Sequence, residues 1–354
     1  GTEIFPASTG VSNTVGLSGH NSLHFGCAPY ASGTVITATF SPLSGTPTTD
    51  FKELTAANLP DPTIADPSKY FQTTLYSGNS STQEINQSGN STFTPGWVWI
   101  KPRNGTGYSH QLFDQVRGAT KRMQSDAASV EDTNATTLTS FDSDGFSLGS
   151  HVSVNETGKN MVAWQWKANG SGSSNTDGSI NSTVSANITS GFSIVSYSGN
   201  ETSGATVGHG LGADVKMIIL KDRGVAESWV VFHEAMGPTK FVYLNDTMAA
   251  FTASNRWNDT SPTSSVFTLG DETQVNGSGR NYIAYCFAEV EGFSKFGSYE
   301  GNGSTDGPFV YTGFKPRWVM IKRYDSTESW PILDTARGSG NFGSDAGTGG
   351  NNPT

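Results

Sequence analysis

The apolar residues of this chain fall in short runs separated by clusters of Gly, Asn, Asp and Ser. The runs are rich in Val, Ile, Thr and aromatic residues, as at 97–101 and 282–288. Runs of this kind bounded by turn-forming residues are typical of strands joined by turns. Asn-Gly pairs begin at Asn104, Asn276 and Asn302, and they favour tight hairpin turns because both central residues need positive φ. The pattern predicts an all-β chain.

The same landmarks recur along the chain. The motif Tyr-x-Gly-Asn occurs three times, and about 24 residues after each tyrosine an apolar run ends in a lysine. The tyrosines are Tyr76, Tyr197 and Tyr299, and the lysines are Lys101, Lys221 and Lys322. The first two copies continue through Phe-x-Leu-Gly and Asn-x-x-Gly motifs into an aromatic run. Because a fixed internal offset indicates duplication, we expect tandem antiparallel β-sandwich repeats of jelly-roll or lectin-like type.

The third copy is incomplete, since neither the Phe-x-Leu-Gly motif nor the final aromatic run follows it. Half a sandwich exposes apolar faces and unpaired strand edges. We therefore expect the N-terminal region or a neighbouring subunit to supply the missing strands by strand addition. The predicted organisation is an N-terminal β region with a Pro-rich connector (1–70), repeat 1 (71–168), a Gly/Ser/Asn linker (169–190), repeat 2 (191–295), incomplete repeat 3 (296–337) and a flexible Gly-rich tail (338–354).

Composition narrows the class of protein. Only 15% of the residues are charged, but aromatic residues make up 11%, and this content argues against disorder. No apolar run approaches the roughly 20 residues of a membrane span. The formal net charge is -10, and no basic stripe of the kind that binds phosphates is visible. We expect neither a membrane span nor a nucleic-acid partner.

Six strings of residues match, in order, a known kind of repeat. They begin at Leu59 (Leu-Pro-Asp-Pro-Thr-Ile-Ala-Asp), His110 (His-Gln-Leu-Phe-Asp-Gln-Val-Arg-Gly-Ala-Thr-Lys), Leu138 (Leu-Thr-Ser-Phe-Asp-Ser-Asp-Gly-Phe-Ser-Leu-Gly), Asn175 (Asn-Thr-Asp-Gly-Ser-Ile), Ala284 (Ala-Tyr-Cys-Phe-Ala-Glu-Val) and Phe296 (Phe-Gly-Ser-Tyr-Glu-Gly-Asn-Gly). Over about residues 55–337 the chain resembles a repeat domain of unknown function that is frequent in virion structural proteins of marine tailed bacteriophages. Family members usually carry a lectin-like sandwich before the repeats and close the third copy with its own final strand, so the chain departs at both ends. The resemblance implies a surface-exposed particle or appendage protein and carries over no catalytic residue.

Two tryptophans are the candidate glycan-binding residues. Trp229 and Trp330 occupy one equivalent position, which His110 fills in the first copy. This variation is compatible with a partly exposed aromatic side chain that stacks on a sugar ring. The alternative interpretation is ordinary core packing.

One acidic motif is a weak candidate for a metal site. Asp142 and Asp144 stand in Asp-Ser-Asp-Gly, which resembles the start of a calcium loop. No bidentate Glu follows at the required distance, and a turn with Asx hydrogen bonds is the favoured interpretation. We predict no cofactor. Because the copies share no pair of acidic residues of the kind that glycosidases use, we also predict that the chain is not an enzyme.

Asn-x-Ser/Thr sequons are unexpectedly frequent. The chain has 14 of them, whereas its 24 asparagines and 86 Ser/Thr residues would give about six by chance. Glycosylated sequons lie in surface loops, so the chain is a candidate glycoprotein, and an intact mass equal to that of the bare polypeptide would exclude this. The sequons are at Asn79, Asn86, Asn90, Asn104, Asn134, Asn155, Asn169, Asn181, Asn187, Asn200, Asn245, Asn258, Asn276 and Asn302.

The sequence therefore predicts a non-enzymatic structural protein of a virion surface or extracellular fibre that self-assembles through its β-repeats. Its expected partners are further copies of itself, other virion proteins and host-surface glycans. A carbohydrate-binding adhesin or receptor-binding protein is the alternative, and it would need exposed aromatic rings beside amide and carboxylate groups in one cleft. A glycan hydrolase would need two carboxylates about 5 to 10 Å apart in a groove.

Overall fold

The computed structural model describes residues 62–105 and 107–338, which lie within one compact unit, Asp61–Thr354. This part of the chain folds into antiparallel sheets with a few helices of three or four residues, which confirms the predicted all-β class. Among these residues, no helix is long and apolar enough to cross a membrane. Most of the predicted N-terminal region, up to residue 61, and the predicted tail from residue 339 lie outside the described residues.

Module 1 (71–168) follows a short 3-10 helix, Pro67–Lys69. Its elements are β1 (Phe71–Ser77), β2 (Gln83–Asn86), β3 (Trp97–Pro102), β4 (Gln111–Asp114), β5 (Lys121–Gln124), β6 (Asp132–Thr133), β7 (Leu138–Asp142), β8 (Gly145–Leu148), α1 (Val152–Asn155) and β9 (Asn160–Trp166). They form a six-stranded sheet in the order β1-β9-β3-β4-β5-β6 and a three-stranded sheet in the order β2-β8-β7. Side chains from both sheets share one apolar core.

Module 2 (169–295) repeats this arrangement. Its elements are β10 (Ser173–Asn175), β11 (Ser182–Asn187), β12 (Phe192–Ser198), β13 (Ala205–Gly208), β14 (Val215–Asp222), β15 (Val230–His233), the 3-10 helix Glu234–Met236, β16 (Lys240–Tyr243), β17 (Phe251–Thr252), α2 (Ser254–Trp257), β18 (Val266–Leu269), α3 (Thr273–Asn276) and β19 (Asn281–Ala288). An eight-stranded sheet has the order β10-β11-β12-β19-β14-β15-β16-β17, and β13 pairs with β18. A second apolar core lies between them.

Module 3 (296–338) contains one described hairpin. It consists of β20 (Trp318–Met320) and β21 (Ile332–Asp334), which pair antiparallel. By their place in the repeat, these strands correspond to β3 and β4 of module 1 and to β14 and β15 of module 2.

The segment 169–190, predicted as a linker, contains β10 and β11. Both strands extend the sheet of module 2, and β11 pairs with β12 over its whole length. The Gly/Ser/Asn-rich composition concealed a strand in which Val184 reaches the apolar core, while Ser182 and Ser185 are buried. Hydrogen bonding offsets the cost of burying the Ser185 hydroxyl, because this hydroxyl donates to the Gly170 carbonyl at 2.7 Å.

In modules 1 and 2, the recurring tyrosine ties its strand to a short helix in the second half of the module. The Tyr76 hydroxyl donates to the Val154 carbonyl at 2.7 Å, and the Tyr197 hydroxyl donates to the Val275 carbonyl at 2.6 Å. Both residues that accept these bonds lie in the four-residue helices α1 and α3. The Tyr-x-Gly-Asn and Asn-x-x-Gly motifs are therefore the two sides of one contact.

The asparagine of Asn-x-x-Gly completes that contact. The Asn276 side chain is fully buried, and its amide donates to the carbonyls of Thr202 and Gly270 at 3.0 and 2.8 Å. Its oxygen accepts from the Asn200 N–H at 2.9 Å. The backbones approach closely here, because a Cβ added to Gly199 would lie 2.5 Å from the Gly277 carbonyl oxygen. Only glycine fits at that distance.

We predict that Asn276→Ala lowers the free energy of unfolding by about 2–4 kcal/mol, because it leaves buried backbone groups without partners. Equilibrium denaturation measures this change. Asn302→Ala is the matched control, since Asn302 stands in the same Asn-Gly-Ser sequence but is exposed. Equal losses in the two variants would contradict the structural role of the buried asparagine.

Candidate functional site

A third apolar core lies between the modules, and we call it the inter-module core. It is formed by large side chains from all three modules, nearly all of them less than a tenth exposed. Its aromatic members are Trp97, Trp99, Trp164 and Trp166 from module 1, Phe192, Trp229 and Tyr285 from module 2, and Trp330 from module 3. The rings of Trp97 and Tyr285 stack across the junction at 4.3 Å. The modules thus pack face to face around this core.

A buried ion pair marks the junction between modules 1 and 2. Asp114 and Arg117 are both inaccessible to solvent, and the carboxylate lies 2.5 Å from the guanidinium Nε. The Tyr285 hydroxyl of module 2 donates to the same carboxylate oxygen at 2.8 Å. Burial acts to lower the pKa of Arg117, but the charge of Asp114, together with the interactions with Tyr285 and Glu131 and the hydrogen bond to Asp114, outweighs it and raises the pKa above the usual value. Burial also raises the pKa of Tyr285, so its hydroxyl stays protonated and donates.

A corresponding ion pair, with a hydrogen-bond donor from another module, joins modules 1 and 3. Asp334 lies 2.5 Å from Arg337 Nε, and the Trp164 indole N–H of module 1 donates to the Asp334 carboxylate at 3.0 Å. The Arg337 guanidinium lies 5.1 Å from the centre of the Trp164 ring. In sequence position, Trp164 corresponds to Tyr285, and the pair Asp334 and Arg337 corresponds to the pair in module 1.

The two candidate glycan-binding tryptophans belong to these junctions. Trp229 is fully buried and Trp330 is 5% exposed. The Trp229 indole N–H donates to the Gln124 carbonyl of module 1 at 2.8 Å, and the Trp330 indole N–H donates to the Tyr243 carbonyl of module 2 at 3.0 Å. The structure contradicts an exposed platform at these positions, because both rings are packed in the inter-module core.

Backbone hydrogen bonds also connect neighbouring modules. The Glu131 N–H of module 1 donates to the Arg223 carbonyl of module 2 at 2.9 Å. At the corresponding place, the Ala250 N–H of module 2 donates to the Tyr324 carbonyl of module 3 at 2.8 Å. These backbone bonds and the side-chain contacts described above join module 1 to module 2, module 2 to module 3, and module 3 to module 1. The three modules therefore form a closed cyclic arrangement.

The comparison with protein families agrees with the packing of the three modules into one domain. The family model described as Domain of unknown function (DUF7483) matches residues 66–351. The chain belongs to the DUF7483 family. The matched range contains all three modules, as expected for one domain with a shared core. No curated protein and no solved structure matches the chain.

A shallow polar cleft of about 390 Å³ opens at the junction of modules 1 and 2 of this DUF7483 domain. Glu131 lies there between Arg223, at 2.9 and 3.0 Å, and Arg117, at 3.4 Å. Burial acts to raise the pKa of Glu131, but the hydrogen bonds and charges of these arginines outweigh it and lower the pKa. Asp222, also in the cleft, pairs with Arg280 at 3.3 Å. Glu131 thus links modules 1 and 2 of the DUF7483 domain, whereas the Asp222 carboxylate is engaged within module 2.

The recurring lysine of each apolar run binds loop carbonyls. Lys221 donates to the carbonyls of Asp222 and Val225 at 2.7 and 3.1 Å. Lys101 donates to the Tyr108 carbonyl, and Lys322 reaches from module 3 to the Thr247 carbonyl of module 2 at 2.9 Å. Burial lowers the pKa of all three lysines.

Asp142 and Asp144, the weak metal candidates, form hydrogen bonds at the turn between β7 and β8 of the DUF7483 domain. The Asp142 carboxylate accepts from the hydroxyls of Ser140 and Ser147 at 2.8 and 2.7 Å. The Asp144 carbonyl accepts from the Gln87 N–H at 2.8 Å. Within the described residues, no group of three or more His, Cys, Asp or Glu side chains is placed to hold a metal ion.

The sequon asparagines divide into three classes by burial. Asn155 and Asn276 are fully buried and hydrogen-bonded, so a glycan at either would be incompatible with this fold. Four others form Asx turns, in which the side-chain oxygen accepts from the N–H two residues later; these are Asn79, Asn134, Asn200 and Asn302. Asn134, Asn187, Asn245 and Asn258 are half-buried, while Asn79, Asn86, Asn90, Asn104, Asn169, Asn181, Asn200 and Asn302 are exposed.

The buried ion pairs were missed by sequence reasoning, although a signal existed. Residues 112–118 read Leu-Phe-Asp-Gln-Val-Arg-Gly, and residues 332–338 read Ile-Leu-Asp-Thr-Ala-Arg-Gly. Module 2 has His233 and Met236 at the positions of the Asp and the Arg. The Asp-x-x-Arg motif is thus present in the two modules that receive a Tyr or Trp donor from a neighbour.

We predict that Tyr285→Phe lowers the free energy of unfolding by about 1.5–3 kcal/mol, because it removes a buried hydrogen bond to a charged group but keeps the ring. Urea denaturation measures the loss. The same substitution at Tyr299, which is 48% exposed, should change the unfolding free energy negligibly. A Tyr285→Phe variant as stable as the parent would rule out a stabilising role for this hydroxyl.

A second prediction concerns pH. Burial lowers the pKa of Lys221 to about 8, whereas an unfolded lysine titrates near 10.4. Between these values the unfolded chain binds a proton that the folded chain lacks, so the free energy of unfolding rises with pH, by about 1–3 kcal/mol in this window. Urea denaturation of the parent and of Lys221→Met at pH 7.5 and 10 measures the difference. An equal pH dependence in both proteins would refute the assignment.

Proposed function

We propose that this protein is a non-enzymatic structural protein of a virion surface or extracellular fibre, which assembles with further copies of itself. Its modules are, in this proposal, sandwiches of the lectin-like or jelly-roll type. The observation that carries the proposal is the closed cyclic docking of three modules around the inter-module core. Such an arrangement buries large apolar side chains of all three modules in one shared core.

The use of the buried chemical groups supports a structural role. Arg117 and Asp114 neutralise each other inside the junction, and Tyr285 donates to the carboxylate. Glu131 holds two arginines from two modules. Breaking a buried ion pair by removing one partner typically costs about 3–5 kcal/mol, so these residues fix the modules in place.

The surface supports assembly and exposure to solvent. Polar uncharged Ser, Thr, Asn and Gly residues dominate it, and eight sequon asparagines are exposed. The likeness to repeats of phage virion proteins supports the location. The adhesin alternative loses its two candidate residues, because Trp229 and Trp330 are buried.

We expect the purified chain to form concentration-dependent oligomers in sedimentation velocity, and the native assembly to show repeated copies by electron microscopy. Because packing of apolar surface and backbone pairing hold such contacts, raising the salt concentration should not dissociate them. A chain that remains monomeric at every concentration, and appears in its native particle as isolated single copies, would contradict the proposal.

A further inference from the structure

Four histidines lie among the residues that the structure describes, and their rings are held in the same way. They are His110, His151, His209 and His233. In each of them the ring atom Nδ1 accepts a hydrogen bond from a group that can only donate, either a backbone N–H or an indole N–H. The other two histidines of the chain, His20 and His24, lie outside the described residues.

Three of these rings close a turn. Nδ1 accepts from the backbone N–H two residues later, as the side-chain oxygen does in an Asx turn. These bonds join Ser153 to His151 at 3.2 Å, Leu211 to His209 at 3.3 Å and Ala235 to His233 at 3.1 Å. His151 thereby caps α1, and His233 caps the 3-10 helix Glu234–Met236. Each bond fixes the backbone at a place where a strand or helix begins or ends.

The fourth ring lies at the junction of modules 1 and 3. His110 is inaccessible to solvent, and the Trp99 indole N–H donates to its Nδ1 at 2.7 Å. The His110 ring stacks on the Trp164 ring with centroids 6.3 Å apart, and Trp164 in turn donates to Asp334 of module 3. A change at His110 therefore reaches the contact between two modules.

These hydrogen bonds require neutral rings. A ring nitrogen that accepts a hydrogen bond carries no hydrogen, so the single ring proton of each histidine is on Nε2. His209 agrees with this, because its Nε2 lies 3.1 Å from the Thr263 carbonyl oxygen, which can only accept. A protonated ring has hydrogens on both nitrogens. It would place one N–H against another and break the bond at Nδ1.

The surroundings of the three turn histidines also oppose a positive charge. Burial lowers the pKa of His151, His209 and His233, and the Arg122 charge adds to this effect at His151. The groups that act the other way do not outweigh burial; they are Asp132 at His151, Thr263, Asp177 and Asp214 at His209, and Glu234 at His233. Glu234 is itself paired with Lys216 at 2.6 Å.

The charges around His110 are balanced in pairs. The Asp126 carboxylate accepts from the His110 backbone N–H at 3.2 Å, and it interacts with the Lys101 ammonium. Beyond the Trp164 ring, Arg337 is paired with Asp334. Neither of these two pairs leaves a spare negative charge for a protonated ring.

We propose that the four histidines form an acid-sensitive switch, which opens the packed modules when the pH falls below about 6. Each histidine of the unfolded chain binds a proton at about pH 6.5, whereas the folded chain holds the same rings neutral. Because the unfolded state then binds more protons, the free energy of unfolding falls as the pH falls through this range. The switch belongs to the single chain and does not depend on self-assembly, so its test is independent of the proposed function.

Nuclear magnetic resonance of the full chain tests the state of the rings. Long-range 1H–15N spectra at pH 7.5 should show a hydrogen on Nε2 and none on Nδ1 for all four histidines. His110 and His209, the two fully buried rings, should keep this state in the folded chain at pH 5.5. A hydrogen on Nδ1 at pH 7.5, or protonation of either buried ring at pH 5.5 without loss of the native signals, would overturn the proposal.

Urea denaturation at pH 7.5 and 5.5 measures the switch. At pH 5.5 an unfolded histidine is about ten times more often protonated than neutral, so each ring that stays neutral in the folded chain raises the unfolding equilibrium constant about tenfold. Between pH 7.5 and 5.5, His110 and His209 should together raise this constant by about 100-fold.

One variant isolates the contribution of a single ring. His209→Asn keeps an oxygen that accepts from the Leu211 N–H but does not titrate, so its unfolding constant should rise about tenfold less than that of the parent. Asn200→Ser is the matched control, since Asn200 makes the same turn to the Thr202 N–H at 3.0 Å without a titratable group. It should keep the pH dependence of the parent.

An equal pH dependence in the parent, His209→Asn and Asn200→Ser would overturn the switch and assign the acid response to carboxylates. If His209→Asn does not fold, the ring spectra of the parent chain still decide the question, because they need no substitution.

Discussion

The fold depends on one constraint. The central strands are apolar on both faces, so each face must be buried against other side chains. In β3, Val98 and Ile100 face the core of module 1, whereas Trp97 and Trp99 face the inter-module core. A strand of this kind is stable only when buried on both sides. A fully buried large apolar side chain contributes roughly 1.5–3 kcal/mol, so a module alone would lose several such contributions from its tryptophans. The three modules accordingly share one compact domain.

The polar groups within the junctions fix how the apolar faces meet. Apolar packing alone is non-directional, and sheets of similar composition could slide or exchange places. The Asp114 carboxylate must receive both Arg117 and Tyr285, and Asp334 must receive both Arg337 and Trp164. A buried ion pair adds little net stability, but a shifted docking would leave it without partners at high cost. We interpret these ion pairs as interactions that determine which module packs against which.

Much of the fold was predictable from the sequence because the repeat is local. The strands, turns and paired motifs follow from residues close to one another, and the structure explains Asn276 and Gly199 as partners in one contact. The prediction of exposed tryptophans failed because the role of these residues depends on another module. Trp229 was open to interpretation as exposed because His110 replaces it in module 1, yet His110 is also fully buried and accepts from the Trp99 indole at 2.7 Å. The segment 169–190 looked like a linker because its strand is built mainly from Ser, Thr and Ala.

The sequence by itself determined the all-β class and the recurrence of its motifs, since these follow from the spacing of short apolar runs and turn residues. Only the tertiary structure decided that the copies dock cyclically, that both candidate tryptophans are buried, and that Tyr299 and Gly301 lie open. The physical reason is that sequence periodicity shows that a face is apolar but not what covers it. A repeated face can bury itself against its own module, another module or a partner, and contacts between distant residues decide which.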